Sequence, residues 1–379
     1  MRNTLLTFIL VVVLAFYSCN QESTSQDDDS NGPDPACQDV NASPYALWSE
    51  FRAPDLVLGR VSTLKDHGLS LYQMITSDAV DARDPQIANL LGQASCQGLE
   101  VRAWLTLPVE EGYWPNEKNV ERFVQKAYAL ANWIQSEGWP IEWIVVDMEP
   151  DYQMMDQLMS MLENGDILGA VGLLVESHDQ ATYVQSVRQF TQMVEALHAM
   201  GFKVMVVTFP LVLDDLGDGD STIQDALNTP VDGIPWDQIS FMAYTTVFER
   251  IIPNDITPFL VKSYGRDALA AYGDRAAIDL GVIGEGGMMA GEGITNIQEF
   301  RAQVGAARGT GLTNIHAYSL DGIISLEEEQ QQDPQIWFEA FQVEPRDVPD
   351  QFTVNLMRSI IQLLDDLIKD FTPTHKQEG

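Results

Sequence analysis

Short apolar runs alternate with amphipathic segments along most of the chain. Between the apolar runs, Asn119–Ser136 and Thr182–Met200 carry apolar residues at helical spacing. Strands that alternate with helices are typical of a parallel α/β fold. We identify eight candidate strands, which are rich in β-branched and aromatic residues: Leu56–Thr63, Leu69–Thr76, Glu100–Leu107, Ile141–Glu149, Lys203–Phe209, Gln238–Thr245, Ala277–Ile283 and Asn314–Leu320.

Eight strand–helix units in about 280 residues predict a (β/α)8 barrel, also called a TIM barrel. An open, doubly wound sheet is the main alternative. That fold would favour a Gly-x-Gly-x-x-Gly turn after the first strand, and the sequence has none there.

The fourth predicted strand, Ile141–Glu149, ends in two carboxylates. Because side chains alternate along a strand, Val145, Asp147 and Glu149 share one face, which we assign to the inside of the barrel. Two buried carboxylates this close raise one pKa, which suits a general acid. The alternative is structural, since an acid at a strand end also caps helices and Pro150 also marks a turn.

Three long connections follow strand ends, where a barrel builds its substrate cleft. They are Pro108–Asn116, Asp151–Ala181 and Leu211–Trp236. The second is rich in methionine and predicts a short helix over the barrel mouth. The third is acidic, and we interpret it as a solvated loop because its spacing does not fit a twelve-residue calcium loop. Its acids are Asp214, Asp215, Asp218 and Asp220.

The first 19 residues resemble a bacterial lipoprotein signal, in which Cys19 becomes lipidated. Ordinary secretion is the alternative, and either predicts an exported protein, lipid-anchored to a bacterial membrane or extracellular. Residues 20–40 have the composition of a disordered tether. The predicted barrel domain spans 41–345. Export permits a disulfide between Cys37 and Cys96, although two separate thiols remain an alternative.

Residues 346–379 are assigned to a C-terminal helix and tail. Before them, Ile336–Phe341 is predicted to close the barrel. Gln351–Phe371 reads as an amphipathic helix, and we expect its apolar face to pack on the outside of the barrel. Its polar face is not basic, which disfavours binding to a membrane surface.

Acidic residues dominate the charge of the chain. There are 56 Asp and Glu against 21 Lys and Arg, for a formal net charge of −35. This surplus excludes nucleic acid as a partner and leaves the lipid on Cys19 as the expected membrane contact. The sequence has no Cys-x-x-Cys motif and no histidine-rich cluster, so we expect no metal and no cofactor. A phosphate-binding glycine loop is also missing after the last two strands.

Three strand ends together resemble the chitinase-like family 18 of glycoside hydrolases. They are Asp147-Met148-Glu149, Met242-Ala243-Tyr244 and Tyr318-Ser319-Leu320-Asp321. The resemblance implies that Glu149 protonates the glycosidic oxygen, while Asp147 and Tyr244 orient a substrate N-acetyl group that attacks the anomeric carbon. Val145, Thr245 and Tyr318 replace the Asp, Asp and Trp of the family pattern.

Two other interpretations remain open. In a retaining glycosidase, Glu149 would be the acid/base and Glu285 the nucleophile, with carboxyl groups about 5 Å apart. The second interpretation is a non-catalytic carbohydrate-binding lipoprotein on the same scaffold. Under all of these interpretations we expect a carbohydrate ligand. The aromatic residues near the barrel mouth could bind it, because aromatic side chains stack on sugar faces. The predicted substrate-binding residues are Trp104, Tyr113, Trp114, Met242, Tyr318 and Asp321.

Overall fold

Eight parallel strands close into a barrel. The computed structural model describes residues 37–216, 219–250, 256–284 and 293–371. Each strand pairs with the next one in the chain, and the last pairs with the first, which confirms the predicted (β/α)8 fold. The strands are β1 (Tyr45–Ser49), β2 (Ser70–Thr76), β3 (Val101–Thr106), β4 (Trp143–Met148), β5 (Lys203–Thr208), β6 (Gln238–Met242), β7 (Ala276–Gly281) and β8 (Asn314–Tyr318).

Helices connect the strands and surround the barrel. The α-helices are α1 (Pro54–Leu58), α2 (Val61–Asp66), α3 (Ser77–Ala82), α4 (Pro85–Cys96), α5 (Val120–Glu137), α6 (Tyr152–Glu163), α7 (Ile167–Ser177), α8 (Gln180–Ala199), α9 (Val212–Asp215), α10 (Thr222–Ala226), α11 (Thr245–Phe248), α12 (Phe259–Tyr272), α13 (Ile297–Gly309), α14 (Leu320–Gln330), α15 (Gln335–Glu339) and α16 (Phe352–Phe371). Short 3-10 helices span Val109–Glu111, Gly273–Arg275 and Ala340–Gln342. None of the described helices has the length and apolar character needed to cross a bilayer.

The first predicted strand is wrong, whereas the other seven lie within two or three residues of observed strands. Leu56–Thr63 belongs to the helical region of α1 and α2, and β1 lies earlier, at Tyr45–Ser49. Pro54 and Asp55 occupy the first turn of α1. Both residue types favour a helix N-terminus, which overrides the strand-like run that follows.

The two faces of each strand enter different cores. On β4, Ile144, Val146 and Met148 pack outward in the core between barrel and helices. Val145 faces inward among aromatic and sulfur-containing side chains from other strands, and it pairs with Trp104 on β3 and Met205 on β5. This agrees with the predicted alternation and directs the next inward residues, Asp147 and Glu149, to the mouth.

The apolar stripe predicted for Asn119–Ser136 forms the buried face of α5. Phe123, Ala127, Leu130 and Ile134 are all buried in the outer core. The helix ends at Glu137 and is capped by Gly138, whose φ of 68° lies in the left-handed region that favours glycine.

The methionine-rich connection after β4 forms two helices, α6 and α7, rather than one. We call its apolar contact surface with α10 the roof cluster, and its buried members are Met154, Met155, Leu158, Met159, Ala170, Ile223 and Leu227. Phe209 at the end of β5 packs against it. The roof cluster therefore covers the barrel mouth on the side of β4 and β5.

The C-terminal helix α16 differs from its prediction. It packs against the rim helices α7, α9, α10 and α12. The expected apolar face is half exposed, since Phe352, Leu356, Ile360 and Leu363 all face outward. The face that packs on the rim instead combines apolar Val354 and Ile368 with Arg358, whose Nε pairs with Asp214 Oδ1 at 2.7 Å.

The segment predicted to close the barrel packs outside it. Residues 336–341 form α15 and the start of a 3-10 helix, and Trp337, Phe338 and Phe341 are buried in the outer core. At the other end of the described chain, Cys37 and Cys96 form a disulfide. The alternative of two separate thiols is therefore wrong.

The acidic connection after β5 is not a solvated loop. Asp214 is buried and accepts a hydrogen bond from the hydroxyl of Tyr264 at 2.8 Å. Asp215 accepts from the backbone N–H of Ile223 at 3.0 Å and from Gln224. These bonds fix the loop to α10 and α12. Asp218 lies outside the described residues.

One acidic group there has the spacing of a cation site. Carboxylate oxygens of Asp215, Asp220 and Asp365 lie within 4.8 Å of one another. The ammonium group of Lys369 pairs with both Asp220 and Asp365. A lysine of the chain therefore supplies positive charge at this position.

Candidate active site

A pocket opens at the C-terminal mouth of the barrel. It encloses about 680 Å³ of empty space, open solvent at its mouth included. Every strand of the barrel except β2 contributes to it directly or through the loop that follows. The lining residues are Trp48, Glu50, Trp104, Trp114, Asp147, Glu149, Met155, Val207, Phe209, Met242, Tyr244, Val247, Val282 and Tyr318.

Asp147 and Glu149 form a buried carboxyl pair in this pocket. Their side chains share a hydrogen bond, which stabilises the ionised form of Asp147 and the protonated form of Glu149. Burial raises the pKa of Glu149 well above its usual range, and the negative charges of Asp147 and Glu50 raise it further. Burial also raises the pKa of Asp147. The arrangement keeps a proton on Glu149, as a general acid requires.

Glu50 is a third carboxylate in the pocket. It follows β1 directly, and only 7% of its surface is exposed. The hydroxyl groups of Tyr113 and Tyr318 both donate hydrogen bonds to its carboxylate. Burial raises the pKa of Glu50 to about 7, despite those two hydrogen bonds. Its carboxylate is thus held from two sides and has no cation paired with it among the described residues.

Asp321 holds the chain that carries Glu50. Its carboxylate accepts hydrogen bonds from Ser49 Oγ at 2.9 Å, from the backbone N–H of Glu50 at 2.9 Å and from that of Phe51 at 2.6 Å. These bonds occupy both carboxylate oxygens, and Asp321 does not line the pocket. The predicted contact with substrate therefore has no counterpart here, and Asp321 acts instead as a positioning residue for Glu50.

The predicted tyrosine and methionine line one wall. Tyr244 packs against Tyr318 with ring centroids 6.0 Å apart, and Met242 lies below them on β6. Burial raises the pKa of Tyr244 well above its usual range, and the charge of Asp147 adds to the effect. Its hydroxyl therefore keeps its proton and can donate a hydrogen bond.

Trp104 and Trp114 line other parts of the pocket. Trp104 packs edge-on against Trp48, with centroids 4.9 Å apart, and its indole N–H has no hydrogen-bond partner among the described residues. Tyr113, in contrast, stands behind the wall, where it packs on Trp114 and bonds to Glu50. Trp104 and Trp114 thus offer surface to a ligand, whereas Tyr113 holds the carboxylate of Glu50.

A polar network fills the barrel below the pocket. The Trp48 indole donates to Asp279 Oδ1 at 2.6 Å, and the hydroxyl of Ser240 donates to the same carboxylate. His316 lies 2.9 Å from the hydroxyl of Tyr72, and burial lowers the pKa of its imidazole. His316 is thus a neutral residue of the barrel core.

Two predicted residues lie outside the described residues. They are Glu285, the nucleophile of the retaining interpretation, and Cys19, the lipidation site. Glu50 and Trp48 were not predicted, because the first strand was placed too late in the sequence. Tyr45–Glu50 has the same signal as β4, an apolar and aromatic run that ends in an acid. Aligning those two endings would have found Glu50.

Comparison with solved structures finds distant similarities. A class V chitinase from Pseudomonas fluorescens Pf-5 is 9% identical, with a TM-score of 0.48 over 79% of this chain and 99% of that one. A β-glucosidase (1317) is 13% identical, with a TM-score of 0.45 over 85% and 89%. A D-psicose 3-epimerase from Clostridium cellulolyticum H10 is 10% identical, with a TM-score of 0.40 over 84% and 99%.

No protein-family model matches the chain, and no curated protein matches it. The structural similarities are too distant to carry an argument about chemistry. The function is therefore argued from the residues of the site.

Proposed function

We propose that this protein is an exported glycoside hydrolase in which Glu149 is the general acid. The observation that carries the proposal is the buried, hydrogen-bonded pair of Asp147 and Glu149 in a pocket with aromatic walls. Glycosidic bond cleavage needs a carboxylic acid that stays protonated near neutral pH. The environment of Glu149 favours that protonated form.

In the proposed reaction the proton of Glu149 goes to the glycosidic oxygen, and the bond from that oxygen to the anomeric carbon breaks. For an N-acetylated sugar, the acetamido oxygen attacks the anomeric carbon and forms a cyclic intermediate. Ionised Asp147 accepts the acetamido N–H, and the Tyr244 hydroxyl donates to the acetamido oxygen. A water molecule then opens the intermediate and returns its proton to Glu149.

Val145 bears on this proposal, because it removes the carboxylate that the family pattern places below Asp147. In this chain the negative charges near Asp147 come from other strands, since Glu50 follows β1 and Asp279 lies on β7. Both raise the pKa of Asp147. Glu50 and Asp279 therefore supply the negative charge that the missing aspartate would bring, and we propose that Asp147 and Glu149 still share one proton.

The retaining mechanism with Glu285 as nucleophile, and a non-catalytic role in carbohydrate binding, are the competing proposals. A polysaccharide panel, N-acetylated and not, separates the retaining mechanism, which needs no N-acetyl group, from the leading one, and a Glu149→Gln variant on the same panel tests the acid that both mechanisms use. We expect release of reducing sugar to fall about 10²- to 10⁴-fold, as for loss of a general acid. The matched control is Glu176→Gln, an exposed glutamate on α7, which should leave the rate unchanged.

Trapping of a covalent glycosyl-enzyme on Glu285 would favour the retaining mechanism. Binding without turnover in the parent protein would favour the non-catalytic role. A folded Glu149→Gln variant with full activity would refute the assignment of the acid.

We also propose that the protein is exported through the signal-like segment at residues 1–19. The Cys37–Cys96 disulfide supports this, because disulfides persist mainly in oxidising compartments. Mass spectrometry of the mature N-terminus tests the proposal. A lipid on Cys19 would support anchoring, cleavage without lipid would support secretion, and an intact N-terminus in the cytoplasmic fraction would refute export.

A further inference from the structure

The pocket holds three acids and no basic side chain. None of its lining residues in the described part of the chain is Lys, Arg or His. The three internal segments outside the description, 217–218, 251–255 and 285–292, also contain none of these residue types. Glu50, Asp147 and Glu149 therefore line one pocket without a basic counter-ion among its described lining residues. A ligand with carboxylate or sulfate groups would be repelled there.

Glu50 has the geometry of a recognition residue. Its side chain is fixed by two tyrosine hydroxyls, and its backbone is fixed by Asp321. A carboxylate has about four acceptor positions, and the two tyrosines use only part of them. Its remaining acceptor capacity is available to a ligand, since Glu50 lines the pocket. Such a fixed group binds a ligand without paying the entropy of ordering its own side chain.

One further atom points to a ligand. Trp104 Nε1 is buried and has no hydrogen-bond partner within the described residues. Trp104 is 2% exposed, and it lines the pocket. Buried polar atoms normally find a partner. A ligand with an acceptor group would supply one.

We propose that Glu50 recognises a protonated amine on the substrate, so that the preferred ligand is a hexosamine chain with free amino groups. The amine would supply the missing counter-ion to Glu50, and the aromatic residues Trp48 and Tyr318 line the same pocket. Glu50 follows β1 and the pair of acids belongs to β4, three strands away around the barrel. The inference rests on the proposed function for the ligand being a sugar chain.

The test uses three sugar tetramers that share the same linkage and differ only in the group at the second carbon of each sugar. They are the β-1,4-linked tetramers of glucosamine, N-acetylglucosamine and glucose, which carry an ammonium, an acetamido or a hydroxyl group at the second carbon. Binding to the full-length protein is measured by calorimetry, with a chromatographic check that the tetramers remain intact. The parent protein should bind the glucosamine tetramer more tightly than the glucose tetramer.

A Glu50→Gln variant should lose about 10- to 100-fold in affinity for the glucosamine tetramer, as for loss of a charge-assisted hydrogen bond. Its affinity for the two neutral tetramers should change much less. The control is Glu110→Gln, an exposed glutamate on the neighbouring rim loop. Equal losses for all three tetramers, or an amine preference that survives in Glu50→Gln, would overturn the inference.

The comparison of the three tetramers on the parent protein needs no variant, so misfolding of Glu50→Gln does not remove the test. The absence of any preference for the amine in the parent protein would also overturn the inference. Hydrolysis that depends on Glu149 together with no amine preference would refute this inference alone. A Glu50-dependent amine preference without hydrolysis would refute only the proposed function.

Discussion

Replacing Glu50 by Gln should change the stability of the protein in a way that depends on pH. Glutamine keeps the shape of the side chain and can still bond to Tyr113 and Tyr318. It removes only the ionisable proton. The effect follows from the pKa of Glu50, which burial raises from 4.5 to about 7 in the folded protein. The unfolded chain keeps the ordinary value.

The magnitude follows from the difference between those two pKa values, which is about 2.5. Each tenfold change in proton affinity corresponds to about 1.4 kcal/mol. Because the folded state holds the proton more tightly, parent stability falls as pH rises from 4.5 through 7, and the total loss from this group is about 3 kcal/mol. Glu50→Gln has no such loss. It should therefore gain about 3 kcal/mol relative to the parent between about pH 4 and pH 8.

Urea unfolding of both proteins at the two pH values measures this difference, and groups that titrate alike in both proteins cancel. The exchange of hydrogen bonds costs the variant about 1 kcal/mol at either pH, so the variant should be less stable than the parent in acid and more stable above pH 7. If the difference between the two proteins is the same at both pH values, the buried, uncompensated state of Glu50 is refuted.

Three other predictions follow from the described contacts. Asp147→Asn should move the basic limb of the pH–rate profile of hydrolysis to lower pH, because ionised Asp147 raises the pKa of Glu149; an unmoved limb would contradict the coupling. Arg358→Met should cost about 3 to 5 kcal/mol of unfolding free energy, because it leaves Asp214 buried without its ion pair. In the same urea assay, Arg122→Met, which breaks an exposed pair, should cost less than about 1 kcal/mol. Reduction of the disulfide, which closes a loop of 59 residues, should lower stability by about 4 kcal/mol in thermal or urea unfolding; no loss would show that the loop is already constrained by packing.

Sequence periodicity predicted the barrel well because most strands are bounded by strong local signals. β4 is a continuous run of β-branched and aromatic residues with acids at its end, and alternation alone assigned Asp147 and Glu149 to the inner face. The first strand was assigned to the wrong residues, and the reason is also local. β1 has only five residues, and the longer apolar stretch after it begins with Pro54 and Asp55, which start a helix.

Long-range contacts explain what the sequence could not predict in the site. Asp321, which positions Glu50, lies about 270 positions away from it in the sequence and accepts hydrogen bonds from the backbone after β1. The orientation of α16 likewise depends on Arg358 and its partner Asp214, 144 positions earlier. Neither pairing leaves a periodic signal in the sequence. An acidic residue in a helix or a loop has the same sequence context whether its side chain is solvated or buried in a pair.

The roof cluster has a consequence for how the protein is made. Met155 of that cluster lines the pocket, and Ile361 of α16 packs against the cluster from the other side. A ribosome releases the chain from its N-terminus onward, and the parts made first begin to fold first. The eight strands are complete before α16 emerges, so the pocket acquires its finished cover only after α16 has left the ribosome. Premature termination shortly before Phe352 would thus yield a closed barrel whose binding cavity is left unfinished.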